Sequence, residues 1–173
     1  MRQVADADRI QRFMRALGEA ARAPAQVFLT GGATAVLLGW RATTIDIDVK
    51  LVPDQDAVLR AIPALKERLQ VNVELAAPDD FIPVREGWQE RSPFIAQEGP
   101  LTFRHFDLAA QALAKLERAH DQDLRDVETM LARGLTDRAT LRAEFEAIRP
   151  HLYRFPAIDP ESFAEAVARI TGI

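Results

Sequence analysis

The feature that most constrains this chain is a pair of carboxylates, Asp46 and Asp48, inside the β-branched run Thr43 to Val52. Successive side chains of a strand point to opposite faces. Ile45, Ile47 and Val49 therefore take one face, and Asp46 and Asp48 take the other. Two carboxylates at i and i+2 repel each other unless something neutralises them, and a divalent cation does so. Magnesium takes one or two carboxylates, several waters and the phosphate oxygens of a substrate. A D-x-D strand thus suits one half of a phosphoryl-transfer site. Alone, it reads equally well as a solvated strand face.

What lies upstream changes the balance. Val27-Phe28-Leu29 is a short apolar strand, Thr30-Gly31-Gly32 a turn, and Ala33 to Leu38 a short apolar helix ended by Gly39. Glycine lets the backbone approach a ligand closely. Free N–H groups at the start of a helix favour a phosphate. Strand, Gly-Gly, short helix, then a strand with D-x-D is a specific order of parts.

The remaining pattern fills in around them. Residues 4–22 predict an amphipathic helix, with Ile10, Phe13, Met14 and Leu17 as its core stripe and Pro24 beyond its end. A helical stretch follows over 53–69, with Pro63 as a kink or break. Val71 to Leu75 is a third strand, and residues 78–92 read mostly as loop. Phe94 to Gln97 and Leu101 to Phe106 form a hairpin around Glu98-Gly99-Pro100. From Asp107 onward the pattern is helical, over 108–119, 122–133, 137–148 and 160–170. The expected fold is α+β: a mixed sheet flanked by helices over residues 1–106, with a helical region, 107–173, packed on it.

Composition narrows the class. No apolar run approaches the ~20 residues that span a bilayer, and Met1 to Arg12 has no secretory apolar segment. The absence of cysteine excludes disulfides and thiolate chemistry and is compatible with a cytoplasmic protein. His105, His120 and His151 are scattered, with no zinc-like spacing. The net charge of −4 argues against nucleic-acid binding over the whole surface, so a polyanion would need a local basic patch.

The motif Val27-Phe28-Leu29-Thr30-Gly31-Gly32 followed by Thr44-Ile45-Asp46-Ile47-Asp48-Val49 resembles that of the DNA-polymerase-beta-like nucleotidyltransferases. With Arg41 and Thr44 ahead of the acids, it is most similar to the bacterial AbiEii-like toxins and a neighbouring uncharacterised group. Phe81-Ile82-Pro83 with Gly87-Trp88 and Arg91 looks like that group's connecting segment. Ala112 to Arg118 with Asp123 to Val127 looks like its helical segment.

The resemblance implies an enzyme that moves a nucleotide from an NTP to a hydroxyl on RNA, protein or a small molecule, using Mg2+ (or Mn2+). Asp46 and Asp48 would hold the metal. Thr30, Gly31, Gly32 and Arg41 would meet the nucleotide phosphates. A third acid is expected on a neighbouring strand. Glu74 shares the alternation of Val71 to Leu75 and is the first candidate, as a third metal-holding acid or the group that deprotonates the attacking hydroxyl, with Asp79 and Asp80 behind it. Lys115, in the otherwise apolar run Leu108 to Leu116, would hold the triphosphate, with Arg118 one turn on. Asp123 and Asp126 would support these cations. On an unbroken helix Asp126 returns beneath Lys115, eleven residues at about 100° each; His120-Asp121 could equally break it, with Asp121 as an N-cap. Asp107 is read as an N-cap. Trp88 either packs on the core edge or stacks on a base. A toxin that modifies tRNA and pairs with an antitoxin fits the resemblance. The alternative is a catalytically inactive interaction module of the same fold.

Overall fold

The computed structural model describes residues 3–172. It divides into two units. The first runs to Ala77 and adds Ser92–His105; the second comprises Pro78–Arg91 and everything from Phe106 on.

In the first unit the helices are α1 (Ala7–Ala20), α2 (Gly32–Leu37) and α3 (Asp56–Leu69), and the strands are β1 (Ala25–Thr30), β2 (Asp46–Val52), β3 (Asn72–Glu74), β4 (Phe94–Glu98) and β5 (Leu101–His105). They make one five-stranded sheet in the order β3-β2-β1-β5-β4. The pairs β1–β2 and β4–β5 are antiparallel; β1–β5 and β2–β3 are parallel. The sheet is therefore mixed.

One sheet face is apolar because strand residues alternate. Val27, Leu29, Ile47, Val49, Leu51, Val73, Leu101 and Phe103 are buried there. Against them sit Ile10, Phe13, Met14 and Leu17 of α1, and Val58, Ile62 and Leu65 of α3, in one core cluster. The stripe read from the sequence is thus core. Asp6 caps α1 by accepting from Arg9 N–H at 2.9 Å.

Three expectations are corrected. Helix α3 runs through Pro63 unbroken and ends at Gln70 in the left-handed region; its packed apolar stripe outweighs the single lost backbone bond. Strand β2 begins at Asp46, so Ile45 precedes it and is exposed rather than part of the core face. Thr44 instead makes an isolated bridge with Ala5. Residues 78–92 are less loop-like than expected, holding a 3-10 turn at Pro78–Asp80 and the short helix α4 (Trp88–Arg91).

In the second unit, α5 (Leu108–Arg118), α6 (Asp121–Ala132), α7 (Arg138–Ile148) and α8 (Pro160–Thr171) follow α4. Phe145 of α7 meets Phe163 of α8 edge-on, with centroids 4.8 Å apart. Asp137 and Asp159 cap α7 and α8. No helix among the described residues is long and apolar enough to cross a membrane.

Candidate active site

Strand β2 places its acids as alternation requires. Ile47, Val49 and Leu51 are buried, while Asp46, Asp48 and Lys50 are half-buried on the opposite face. Thr30 of β1 pairs with Asp48, and Asp48 with Glu74 of β3. The row Thr30–Asp48–Glu74 thus crosses three neighbouring strands on one face. Asp46 pairs with Asn72, whose side-chain amide donates to Asp46 Oδ1. Glu74 is exposed.

The glycine turn lies against this row. Gly31 has φ 62° and ψ −129°, backbone that L side chains rarely adopt. A methyl group there would lie 3.1 Å from Asp48 Oδ2. Gly32 is required for a different reason. A methyl group there would lie 2.0 Å from Thr44 Oγ1 and 2.7 Å from Thr44 Cβ, with Arg41 Nη1 at 3.3 Å. Thr44 is buried, and its hydroxyl donates to the Asp46 carbonyl at 2.9 Å. The turn, Thr44, Arg41 and the acidic strand therefore close on one another. Neither glycine is there for backbone freedom alone.

Among the described residues, no three His, Cys, Asp or Glu side chains gather into a group able to hold a metal ion. On this face Asp46 and Asp48 offer a candidate donor pair, with the exposed Glu74 on the neighbouring strand. A pair meets the demand of magnesium, which completes its shell with water and substrate oxygens.

The second unit holds the cationic candidates on a helical hairpin. Helix α5 ends at Ala119, which is left-handed at φ 56°, and His120 stands at the N-cap of α6. Asp121 is the first helical residue rather than the cap. The helix is broken, yet Asp126 still reaches Lys115, because α5 and α6 pack side by side. Lys115 Nζ lies 2.9 Å from Asp126 Oδ2, with side chains only 9% and 2% exposed. Gln122 donates to the other oxygen of Asp126 at 3.0 Å. Arg118 clasps Asp123 with two bonds, at 2.8 and 2.6 Å, and His120 N–H donates to the same carboxylate at 3.2 Å. Desolvation works against the charged Asp123, but the Arg118 bonds and charge, the Lys115 charge and that N–H together hold its carboxyl below the usual value.

Asp107 occupies the N-cap position of α5 but does not cap it; its carboxylate accepts from Arg91 Nε at 3.3 Å. Arg85 grips the buried Glu144 through Nε at 3.0 Å and Nη2 at 2.8 Å. These bonds fasten residues 78–91 to α5 and α7. Trp88 stacks on Phe106 at 4.2 Å with the rings 9° apart, so it packs. Asp79 and Asp80 belong to the same unit, in its 3-10 turn.

Residues 8–154 match the family described as "Nucleotidyltransferase of unknown function (DUF6036)". The chain belongs to this family. Nucleotidyl transfer is accordingly its general activity, and a nucleotide its substrate. Neither the curated proteins nor the solved structures yield a match.

Several residues beside the candidate side chains carry structural weight that the sequence does not announce. Asn72 and Thr44 bind Asp46, and Gln122 binds Asp126. Thr34 and His105 bond each other at 3.0 Å beneath the glycine turn. Alternation already places Asn72 on the acidic face. Nothing in the sequence pairs Thr34 with His105, because parallel pairing of β1 and β5 brings them together.

Proposed function

We propose that the protein is a magnesium-dependent nucleotidyltransferase acting from the β1–α2 turn and strand β2. The observation that carries the reading is the closure of Gly31 on Asp48 within a face that also presents Asp46. Asp46 and Asp48 would hold the metal, which supplies charge neutralisation at the phosphates. Asn72 fixes one oxygen of Asp46 and leaves the rest of the carboxylate to a cation. Thr30, Gly31, Gly32 and Arg41 would receive the triphosphate. Glu74, next to Asp48, would take the proton of the acceptor hydroxyl. The hydroxyl oxygen then bonds to the α-phosphorus, the bond to the bridging oxygen breaks, and pyrophosphate leaves. Lys115 and Arg118 enter on the family resemblance as triphosphate-binding cations, and Asp123 and Asp126 as their supports.

Thermal unfolding with magnesium and each NTP in turn tests this. A nucleotide that binds the native state alone raises the melting temperature by mass action, and the rise disappears in Asp46→Asn with Asp48→Asn. No rise with any of the four nucleotides sinks the proposal.

For the acceptor we propose RNA, with tRNA first, and for the biology a toxin held by an antitoxin, on the likeness to AbiEii-like proteins. Incubation with labelled NTPs, magnesium and total RNA reads out the acceptor. Induced expression should arrest growth for the wild type and not for Asp46→Asn. A second reading follows from the absence of a three-acid group among the described residues: a nucleotide-binding module without transfer. It predicts nucleotide-dependent stabilisation with no label incorporated into any acceptor.

A further inference from the structure

The Gly31–Gly32 turn is held from below as well as from the side. Thr34, in the first turn of α2, is buried, and its hydroxyl donates to the Leu29 carbonyl at 3.3 Å. The same oxygen lies 3.0 Å from His105 Nδ1. His105 ends β5 and pairs in register with Leu29 near the end of β1. One hydroxyl thus ties the start of α2 to two strand ends. With its one proton given to Leu29, the Thr34 oxygen accepts from His105, which assigns the ring proton to Nδ1; burial keeps the ring neutral, with its pKa pushed down to about 4. The turn spans the few residues between Leu29 and Thr34, so its freedom is set by this latch on one side and by Thr44 and Asp48 on the other.

We propose that Thr34 and His105 are positioning residues for nucleotide binding, latching the Gly31–Gly32 turn at the height where it meets Asp48. This rests on the proposed function, since it assumes that the turn receives the triphosphate. The latch itself does not. A site held within a fraction of an ångström needs such support behind the groups that touch the ligand. Thr34→Val keeps the shape and removes the hydroxyl, leaving a buried imidazole nitrogen without its bond. Thr34→Ser restores the hydroxyl.

Amide hydrogen exchange in the full chain reads the latch without any nucleotide. In Thr34→Val, segment 29–38 should exchange about tenfold faster, the scale expected for losing a buried hydrogen bond. Segment 56–69 in α3 should keep its wild-type rate, and Thr34→Ser should return segment 29–38 close to wild type. Isothermal titration with magnesium and ATP, GTP, CTP and UTP in turn reads the positioning. Affinity should weaken several-fold in Thr34→Val and His105→Gln and recover in Thr34→Ser. Unchanged exchange over 29–38, or an equal rise over 56–69, overturns the latch. A local rise with unchanged affinity, while Asp46→Asn loses binding, overturns the positioning role and leaves the proposed function standing. A wild type that binds none of the four nucleotides overturns the proposed function and the positioning role together, while exchange still decides the latch.

Discussion

At the scale of single residues, the acidic face is set by contacts too close for any other residue type. Gly32 is the sharpest case. Thr44 is buried, bonded through its hydroxyl to Asp46, and bridged through its backbone to Ala5. It cannot swing away from a methyl group placed 2.0 Å from its oxygen. Gly32→Ala should therefore cost about 1–3 kcal/mol, the usual range for overpacking, despite the higher helix propensity of alanine. Urea denaturation measures it. An unchanged midpoint would mean that the Thr44 side chain yields. The glycines were legible in the sequence as a turn before a helix, and as residues that let backbone approach a ligand. What they approach here is their own protein: Asp48 for Gly31 and Thr44 for Gly32. Sequence spacing cannot show that, because it depends on the angle at which α2 leaves β1.

Among elements, packing decides where propensity is neutral or adverse. Gly18 lies inside α1, where glycine costs roughly 1 kcal/mol relative to alanine. A methyl group at Gly18 would lie 2.4 Å from the Glu98 carbonyl oxygen, which is backbone and cannot rotate aside. Gly18→Ala should lower the melting temperature, since α1 must lift from the β4–β5 turn by more than propensity returns. A raised melting temperature would show that the helix moves freely there. The α5–α6 hairpin gives a stronger test. Asp126→Ala leaves the buried Lys115 ammonium without its counter-charge and should cost about 3–5 kcal/mol. Lys115→Met with Asp126→Leu should cost clearly less than the two single changes added together, which a double-mutant cycle in urea measures. Additive losses would mean that the pair does not interact. The sequence placed these helices well because apolar spacing is a local signal, although neither Asp107 nor Asp121 caps them. Of its two alternatives, only the unbroken helix carried the Lys115–Asp126 meeting. The structure makes the same meeting through a break at Ala119, since side-by-side packing returns the chain to that face.

On the scale of the whole molecule, the order of elements along the chain carried the α+β class and the mixed sheet flanked by helices. The strand order β3-β2-β1-β5-β4 did not follow from it, because parallel pairing joins segments distant in sequence. His105 shows the consequence. As a residue of a hairpin it looked unremarkable; as the neighbour of Leu29 in the sheet it is a buried neutral imidazole. Its folded pKa of about 4 lies below the ordinary 6.5. Between those values the unfolded chain binds a proton that the native chain does not, so stability rises with pH. The contribution is intact above about 6.5 and is lost as pH falls toward 4, by roughly 2–3 kcal/mol at pH 4.5. Asp123 is depressed from a carboxylate value of 3.8, so its loss falls in a lower window. Glu117, raised by burial against the opposing charge of Arg118, acts with the opposite sign. Both are common to wild type and His105→Gln and cancel in the difference between them. Urea midpoints at pH 7.5 and pH 4.5 should fall further for the wild type than for His105→Gln, even though the variant starts less stable at pH 7.5. Parallel falls in the two proteins would mean that the imidazole takes up its proton in place, and that its burial is not what makes this fold sensitive to acid.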